Sequence, residues 1–140
     1  MILVEREIRT APAEVWAVMS ELDRWAELLP TVSGVERLGD PGPIAVGTRF
    51  RVAQPGLATA VYEVTDWRPG AGFTWVASAN GVRTEAAHEA RADGENRTRL
   101  ALGITWSGPG AWVARLLFSG KARDYMAREA EAFAALAESR

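Results

Sequence analysis

The segment from Glu7 to Leu38, EIRTAPAEVWAVMSELDRWAELLPTVSGVERL, constrains the fold more than any other part of this 140-residue chain. A short strand runs into Ala11-Pro12, two short amphipathic helices follow with a break at Ser20-Glu21, and Pro30 stops the second just before another strand. Pro12 suits the first helical position, and Glu14 lies close enough to the helix N-terminus to favour its dipole. Val15, Trp16, Val18 and Met19 give the first helix a buried side. Ser20 is placed to cap the second, in which Leu22, Trp25, Leu28 and Leu29 recur at helical spacing. A sheet cannot hide two such helices unless it curls around something else. That something is at the far end, where Gly110 to Arg140 reads as one long helix. A sheet gripping a helix tends to leave a cavity between them.

Ile2 to Ile8 starts apolar and ends alternating, as an opening strand does. After Pro30 the pattern has period two. Turn clusters at Gly39-Asp40-Pro41-Gly42-Pro43, Gln54-Pro55-Gly56, Arg68-Pro69-Gly70, Asn80-Gly81 and Asp93-Gly94-Glu95-Asn96 separate strand candidates at about 31–38, 46–53, 57–67, 72–79, 82–92 and 97–107. Their short connections favour an antiparallel meander. Parity assigns the faces. Phe50 and Val52 share one, with Arg49 and Arg51 on the other. Phe73, Trp75 and Ala77 align. Arg83, Glu85, Glu89 and Arg91 belong outside, which turns Thr84, Ala86, His88 and Ala90 inward. Leu100, Leu102, Ile104 and Trp106 face in, opposite Arg97 and Arg99. In 57–67, Tyr62 and Val64 compete with Val61 and Trp67, and a bulge would reconcile them.

In the last helix, Trp112, Leu116, Ser119, Ala122, Met126, Ala130, Phe133 and Ala137 fall on one stripe, with Arg123 among them. Asp124 and Glu129 lie off it and read as solvated. Gly120 is a weak point, since glycine inside a helix costs roughly 1 kcal/mol relative to alanine.

Composition narrows the function. The length predicts one domain, 1–140, large enough to hold a core without disulfide or metal. With no cysteine and one histidine, a thiolate site, a cysteine nucleophile and a histidine-rich metal site are excluded, and no metal or cofactor is expected. A net charge of -2 with interspersed Arg and Glu gives no general pull toward nucleic acid. No signal-like region or apolar run of membrane-spanning length is present, so the cytoplasm is the expected location and integral membrane association is not expected. Six tryptophans suit a large core or an aromatic-walled pocket.

His88 titrates nearest neutral pH and is turned inward among alanines, so it could bind a polar ligand group or act as a general base. A histidine satisfied by backbone or water at the sheet edge is the alternative. Arg123 among small apolar neighbours must find an anion, reach solvent or neutralise a ligand carboxylate, because burying a guanidinium unpaired costs several kcal/mol. Phe50, Trp75, Trp106 and Met126 form an apolar set that could be plain core. The small inner face of 82–92, however, leaves a deficit between sheet and helix that argues for a cavity. The glycine-rich stretches at 69–72 and 108–110 lack the ending and spacing of a phosphate loop, and no Ser-His-Asp or paired-carboxylate set stands out.

Across essentially the whole chain, the order strand, two helices, six strands, long helix resembles the START-like (SRPBCC, helix-grip) superfamily, and within it the bacterial polyketide cyclase/dehydrase and lipid-transport family. The residues carrying the likeness are Ala11-Pro12-x-x-Val15-Trp16, Arg24-Trp25-x-x-Leu28-x-Pro30, Val46-Gly47-Thr48 and Glu63-Val64-Thr65-x-x-x-Pro69. They continue with His88 before Asp93-Gly94, Arg97-x-Arg99-Leu100-x-Leu102, and Tyr125-Met126 with Glu129. Glu21 stands where an aspartate is common in relatives, and Leu28 where a tryptophan often sits. The resemblance implies an α+β helix-grip fold, a curved antiparallel sheet of about seven strands around the C-terminal helix, with two short helices between strands 1 and 2. It also implies an apolar cavity faced by Phe50, Val52, Trp75, His88, Leu102, Trp106, Leu116, Arg123 and Met126.

Fold does not fix activity. The scarcity of polar groups on the inner surface favours non-catalytic binding or transport of a small hydrophobic molecule, such as a lipid, polyketide or aromatic metabolite, by a monomer or weak homodimer. The alternatives are an aromatase/cyclase or dehydratase-like enzyme using His88, with Arg123 polarising a carbonyl, and a protein-interaction module presenting its sheet. The last would need an exposed apolar sheet face, whereas the outward positions are rich in Arg and Glu.

Overall fold

A computed structural model describes residues 1–140. Seven strands form a single antiparallel sheet: β1 (Ile2–Ile8), β2 (Gly34–Leu38), β3 (Arg49–Ala53), β4 (Ala60–Arg68), β5 (Gly72–Ala79), β6 (Val82–Ala92) and β7 (Thr98–Ser107). Their spatial order is β1-β7-β6-β5-β4-β3-β2, so the chain after β1 is a meander whose last strand returns beside the first. Two short helices, α1 (Pro12–Met19) and α2 (Trp25–Leu28), separate β1 from β2, and α3 (Ala111–Glu138) closes the chain. The helix-grip architecture is therefore present. No helix is long and apolar enough to cross a membrane.

The break between the short helices differs from its sequence reading. Ser20 ends α1 rather than starting the next helix: its N–H donates to the Trp16 carbonyl, the following Glu21 N–H donates to the Val18 carbonyl, and the Ser20 hydroxyl caps nothing. A 3-10 turn at Leu22–Arg24 comes next, and α2 is a single turn. That tight path turns Leu22 and Trp25 into the core, both nearly inaccessible. Arg37 of β2 pins the outside, bonding Asp23 from Nε at 3.2 Å and lying 5.5 Å over the Phe50 ring.

The bulge expected in the fourth strand is found at Thr65, where the β4–β5 register shifts between Val64 and Asp66. It lets Val64 and Trp67 both turn toward the core although three residues apart. Ala86, His88 and Ala90 of β6 and Leu100 and Leu102 of β7 are buried, as parity requires, while Arg83, Arg91, Arg97 and Arg99 are exposed.

The stripe on α3 is right for half its length. Met126, Ala130, Phe133 and Ala137 are buried, but near the start the buried residues are Ala111 and Ala114. Trp112 and Leu116 point to solvent, 64% and 75% exposed. A straight helix crossing a twisted sheet meets it with a changing face. At 100° per residue the contacting arc here moves roughly a quarter turn from one end to the other. Small side chains at the first contacts let the helix start close to the sheet, which sends the bulky neighbours outward.

Candidate functional site

The interior between sheet and α3 is built around Trp25. Its ring centroid lies 5.2 Å from Trp75, 5.5 Å from His88, 5.7 Å from Phe133 and 5.9 Å from Phe73. Its Nε1–H donates to the Met19 carbonyl at 3.1 Å, which fixes the ring. Tyr62 stacks on Trp75 at 4.8 Å, and Phe50 approaches Trp75 at 5.9 Å. The space expected from the small β6 face is thus occupied by a tryptophan from α2. Trp25 stands in the middle of the packed interior. Two open grooves lie elsewhere. One of about 460 Å³ is bounded by Leu38, Asp40, Thr48 and Arg49, and one of about 540 Å³ lies between Pro30 and the outer side of α3 at Arg128, Glu131 and Ala135.

Phe50, Val52, Trp75, His88, Leu102 and Met126 all lie in this interior. Trp106 is half-buried at its margin. Leu116 and Arg123 do not face it: both are exposed, because the contacting arc of α3 has rotated away from them. Arg123 reaches solvent, the solution open to an unpaired guanidinium.

Glu129 corrects the sequence reading in the other direction. It is 9% exposed, not solvated. Burial drives its carboxyl up to about 7, against a small downward pull from the neighbouring Thr31 hydroxyl. That hydroxyl is itself buried and makes no hydrogen bond of ordinary geometry, so the compensation is weak. Burial and the nearby Glu129 charge together push the Tyr62 phenol up to about 12. A sequence signal for Glu129 existed: it lies three residues after Met126 and four before Phe133, at the edge of the buried arc.

His88 is buried and its Nδ1 has no hydrogen-bond partner. Desolvation lowers its pKa to about 4, opposed only in part by the Phe73 backbone. At neutral pH the imidazole is therefore uncharged, and no carboxylate orients it. The interior combines aromatic walls with three poorly satisfied polar groups: the Thr31 hydroxyl, the His88 imidazole and the Glu129 carboxyl.

A family profile described as polyketide cyclase / dehydrase and lipid transport matches residues 2–138. Among solved structures, the Zhui aromatase/cyclase from Streptomyces sp. R1128 is similar with a TM-score of 0.79 at 17% identity, over 99% of this chain and 93% of that one. Norcoclaurine synthase from Thalictrum flavum, in complex with dopamine and hydroxybenzaldehyde, gives 0.75 at 18% identity over 99% and 86%. A protein from Thermus thermophilus gives 0.76 at 16% identity over 99% and 97%. At such identities the likeness is one of fold. No curated protein sequence matches.

Proposed function

The chain belongs to the polyketide cyclase/dehydrase and lipid-transport family, and on that premise we propose that it binds a small hydrophobic molecule between the sheet and α3 without transforming it. The observation that carries this reading is the pairing of aromatic walls with buried polar groups that lack partners, Thr31 Oγ1 and His88 Nδ1. Each such group costs about 1–3 kcal/mol while unsatisfied. A guest with a hydroxyl or carbonyl on an apolar body relieves that cost and profits from the rings. Retention is favoured over bond-making because His88 Nδ1 has no partner and no acidic or basic side chain activates the ring. The guest enters beneath the N-terminal half of α3, where the helix presents Ala111, Ala114 and Ala122 rather than bulky side chains.

Native mass spectrometry of freshly purified protein, with extraction of whatever co-purifies, tests this directly. A bound apolar species, and a raised Tm with some members of a lipid and aromatic polyketide panel, are expected. No bound species and no thermal shift across that panel would remove the proposal.

A second reading rests on Glu129. A carboxyl titrating at about 7 inside an apolar site suits general acid–base work at neutral pH far better than an imidazole at about 4. An enzyme of the cyclase or dehydratase kind would then use Glu129, with the role first assigned to His88 reduced to packing. Turnover abolished by Glu129→Gln with ligand affinity unchanged would establish it. A sheet-face interaction module has little support: the outer face carries the ion pairs Arg51–Glu36, Arg83–Glu85 and Arg91–Glu89.

A further inference from the structure

Of the nine large apolar side chains the fold leaves exposed, five fall within residues 112–118. Trp112, Val113, Leu116 and Leu117 follow the spacing i, i+1, i+4, i+5, which sets them on one continuous arc of α3. Trp112 and Leu117 are each 64% exposed, and Leu116 is more so. The apolar patch is thus on the helix, not on the sheet.

The charge around that arc is one-sided. The first half of α3 meets two turns of the sheet. The Gly110 N–H donates to the Gly81 carbonyl at 3.0 Å, and Lys121 and Tyr125 reach the Gly56 and Pro55 carbonyls. Two of the segments brought together, 54–62 and 105–123, contain Arg115, Lys121 and Arg123 and no Asp or Glu, while Arg83 on the third is paired with Glu85 at 3.4 Å. Of 16 basic and 18 acidic residues, these two segments take three basic ones, which leaves 13 basic against 18 acidic for the rest. A chain of slight net negative charge therefore has a positive, apolar end.

We infer that this end docks on the surface of an anionic lipid bilayer. Trp112, Leu116 and Leu117 sink into the boundary between headgroups and acyl chains, and the basic side chains lie against lipid phosphates. A helix with bulky apolar residues on one arc and Arg and Lys beside it has the character of an interfacial helix. The arc is too small for a stable protein interface, which takes about 20–30 residues a side. A two-fold contact between copies would set the positive end against itself. Docking here does not depend on the cavity reading, although it would place the N-terminal half of α3 at the membrane.

Flotation of the intact chain with vesicles tests the inference, using phosphatidylcholine alone and phosphatidylcholine containing phosphatidylglycerol. Binding to the anionic vesicles that weakens with added salt is expected, with little binding to the neutral ones. Removing charges with Arg115→Gln and Arg123→Gln should lower partitioning about fivefold per charge. The double variant Leu116→Asp, Leu117→Asp should abolish it. Both leucines are exposed, and an unchanged circular dichroism spectrum and Tm would establish that this variant folds. The inference is overturned if wild-type protein does not float with anionic vesicles, floats equally with neutral ones, or binds undiminished after the double substitution. A dimer seen by light scattering that the double substitution dissolves, without vesicle binding, would assign the arc to self-association and overturn it too.

Discussion

His88 of β6 lies face to face with Phe73, its cross-strand partner on β5, with ring centroids 4.2 Å apart and planes 8° from parallel. Trp25 closes over the same imidazole from α2. A histidine held between two aromatic rings loses hydration and gains no counter-ion, so its proton is expelled. Glu129, buried from the α3 side, is driven the other way, up to about 7. The interior thus holds two ionisable groups whose charged forms burial disfavours, and their effects on stability oppose each other.

That opposition predicts a specific pH profile. His88 falls from 6.5 to about 4 on folding, so the unfolded chain binds more protons in that window and stability is lost as pH drops through it. Glu129 rises from 4.5 to about 7, so the folded chain binds more protons and stability is lost as pH climbs through that window. Where the windows overlap, the two slopes cancel. Urea denaturation of Glu129→Gln should show stability rising with pH across the overlap, and His88→Phe should show it falling. Each change should amount to about 1–3 kcal/mol, since one pKa unit corresponds to about 1.4 kcal/mol. Wild-type slopes in both variants would mean that neither group is neutralised by burial.

Trp25→Ala should be the most damaging single truncation in the interior. It removes a ring packed against Phe73, Trp75, His88 and Phe133 and frees the Met19 carbonyl. Loss of a buried tryptophan costs about 3–5 kcal/mol. The hole it leaves is aromatic-walled, so added indole should restore part of the lost Tm in a concentration-dependent way. A variant with wild-type Tm, or one that indole leaves unchanged, would show that Trp25 does not fill the interior.

Gly72 is the backbone counterpart of that tight packing. A Cβ there would collide with the His88 carbonyl oxygen and come within 3.1 Å of Glu89 Cα, both on the neighbouring strand. Both are backbone atoms of one strand, which cannot yield as the third contact, the flexible Arg68 guanidinium at 3.3 Å, can. Gly72→Ala should therefore push β5 and β6 apart, with a loss of about 1–3 kcal/mol. Amide exchange at Ala90, whose N–H bonds the Ala71 carbonyl at 2.7 Å, should rise with it. Unchanged exchange and unchanged Tm would contradict the clash.

Much of this was legible in the sequence because strand parity is a short-range rule. The alternation around His88 placed it inward, and the conflict of Val64 with Trp67 announced the bulge at Thr65. What parity could not give was depth. Trp25 was visible as an apolar helical residue, but its arrival beside His88 depends on the 3-10 turn at Leu22–Arg24, which no periodicity specifies. The α3 stripe failed where a single phase was imposed on a helix whose contacting face rotates. That misplaced Leu116 and Arg123 inside and left Glu129 outside.

Gly120 joins stability to access. It lies inside a continuous α3, between the exposed first half of the helix and the packed second half, and a Cβ there would meet nothing within 4 Å. Alanine therefore fits without strain and should stabilise the protein by about 0.5–1 kcal/mol, by restoring helix propensity and narrowing the unfolded ensemble. For a chain of this size that is a rise in Tm of about 3 °C. If a guest enters when the first half of α3 lifts, the glycine is also where the helix gives most easily. Gly120→Ala should then slow the uptake of anilinonaphthalene sulfonate, followed by stopped-flow fluorescence, while leaving its final affinity within about a factor of two. A raised Tm with unchanged uptake would place the opening elsewhere, and an unchanged Tm would mean that the helix does not run through Gly120 in solution.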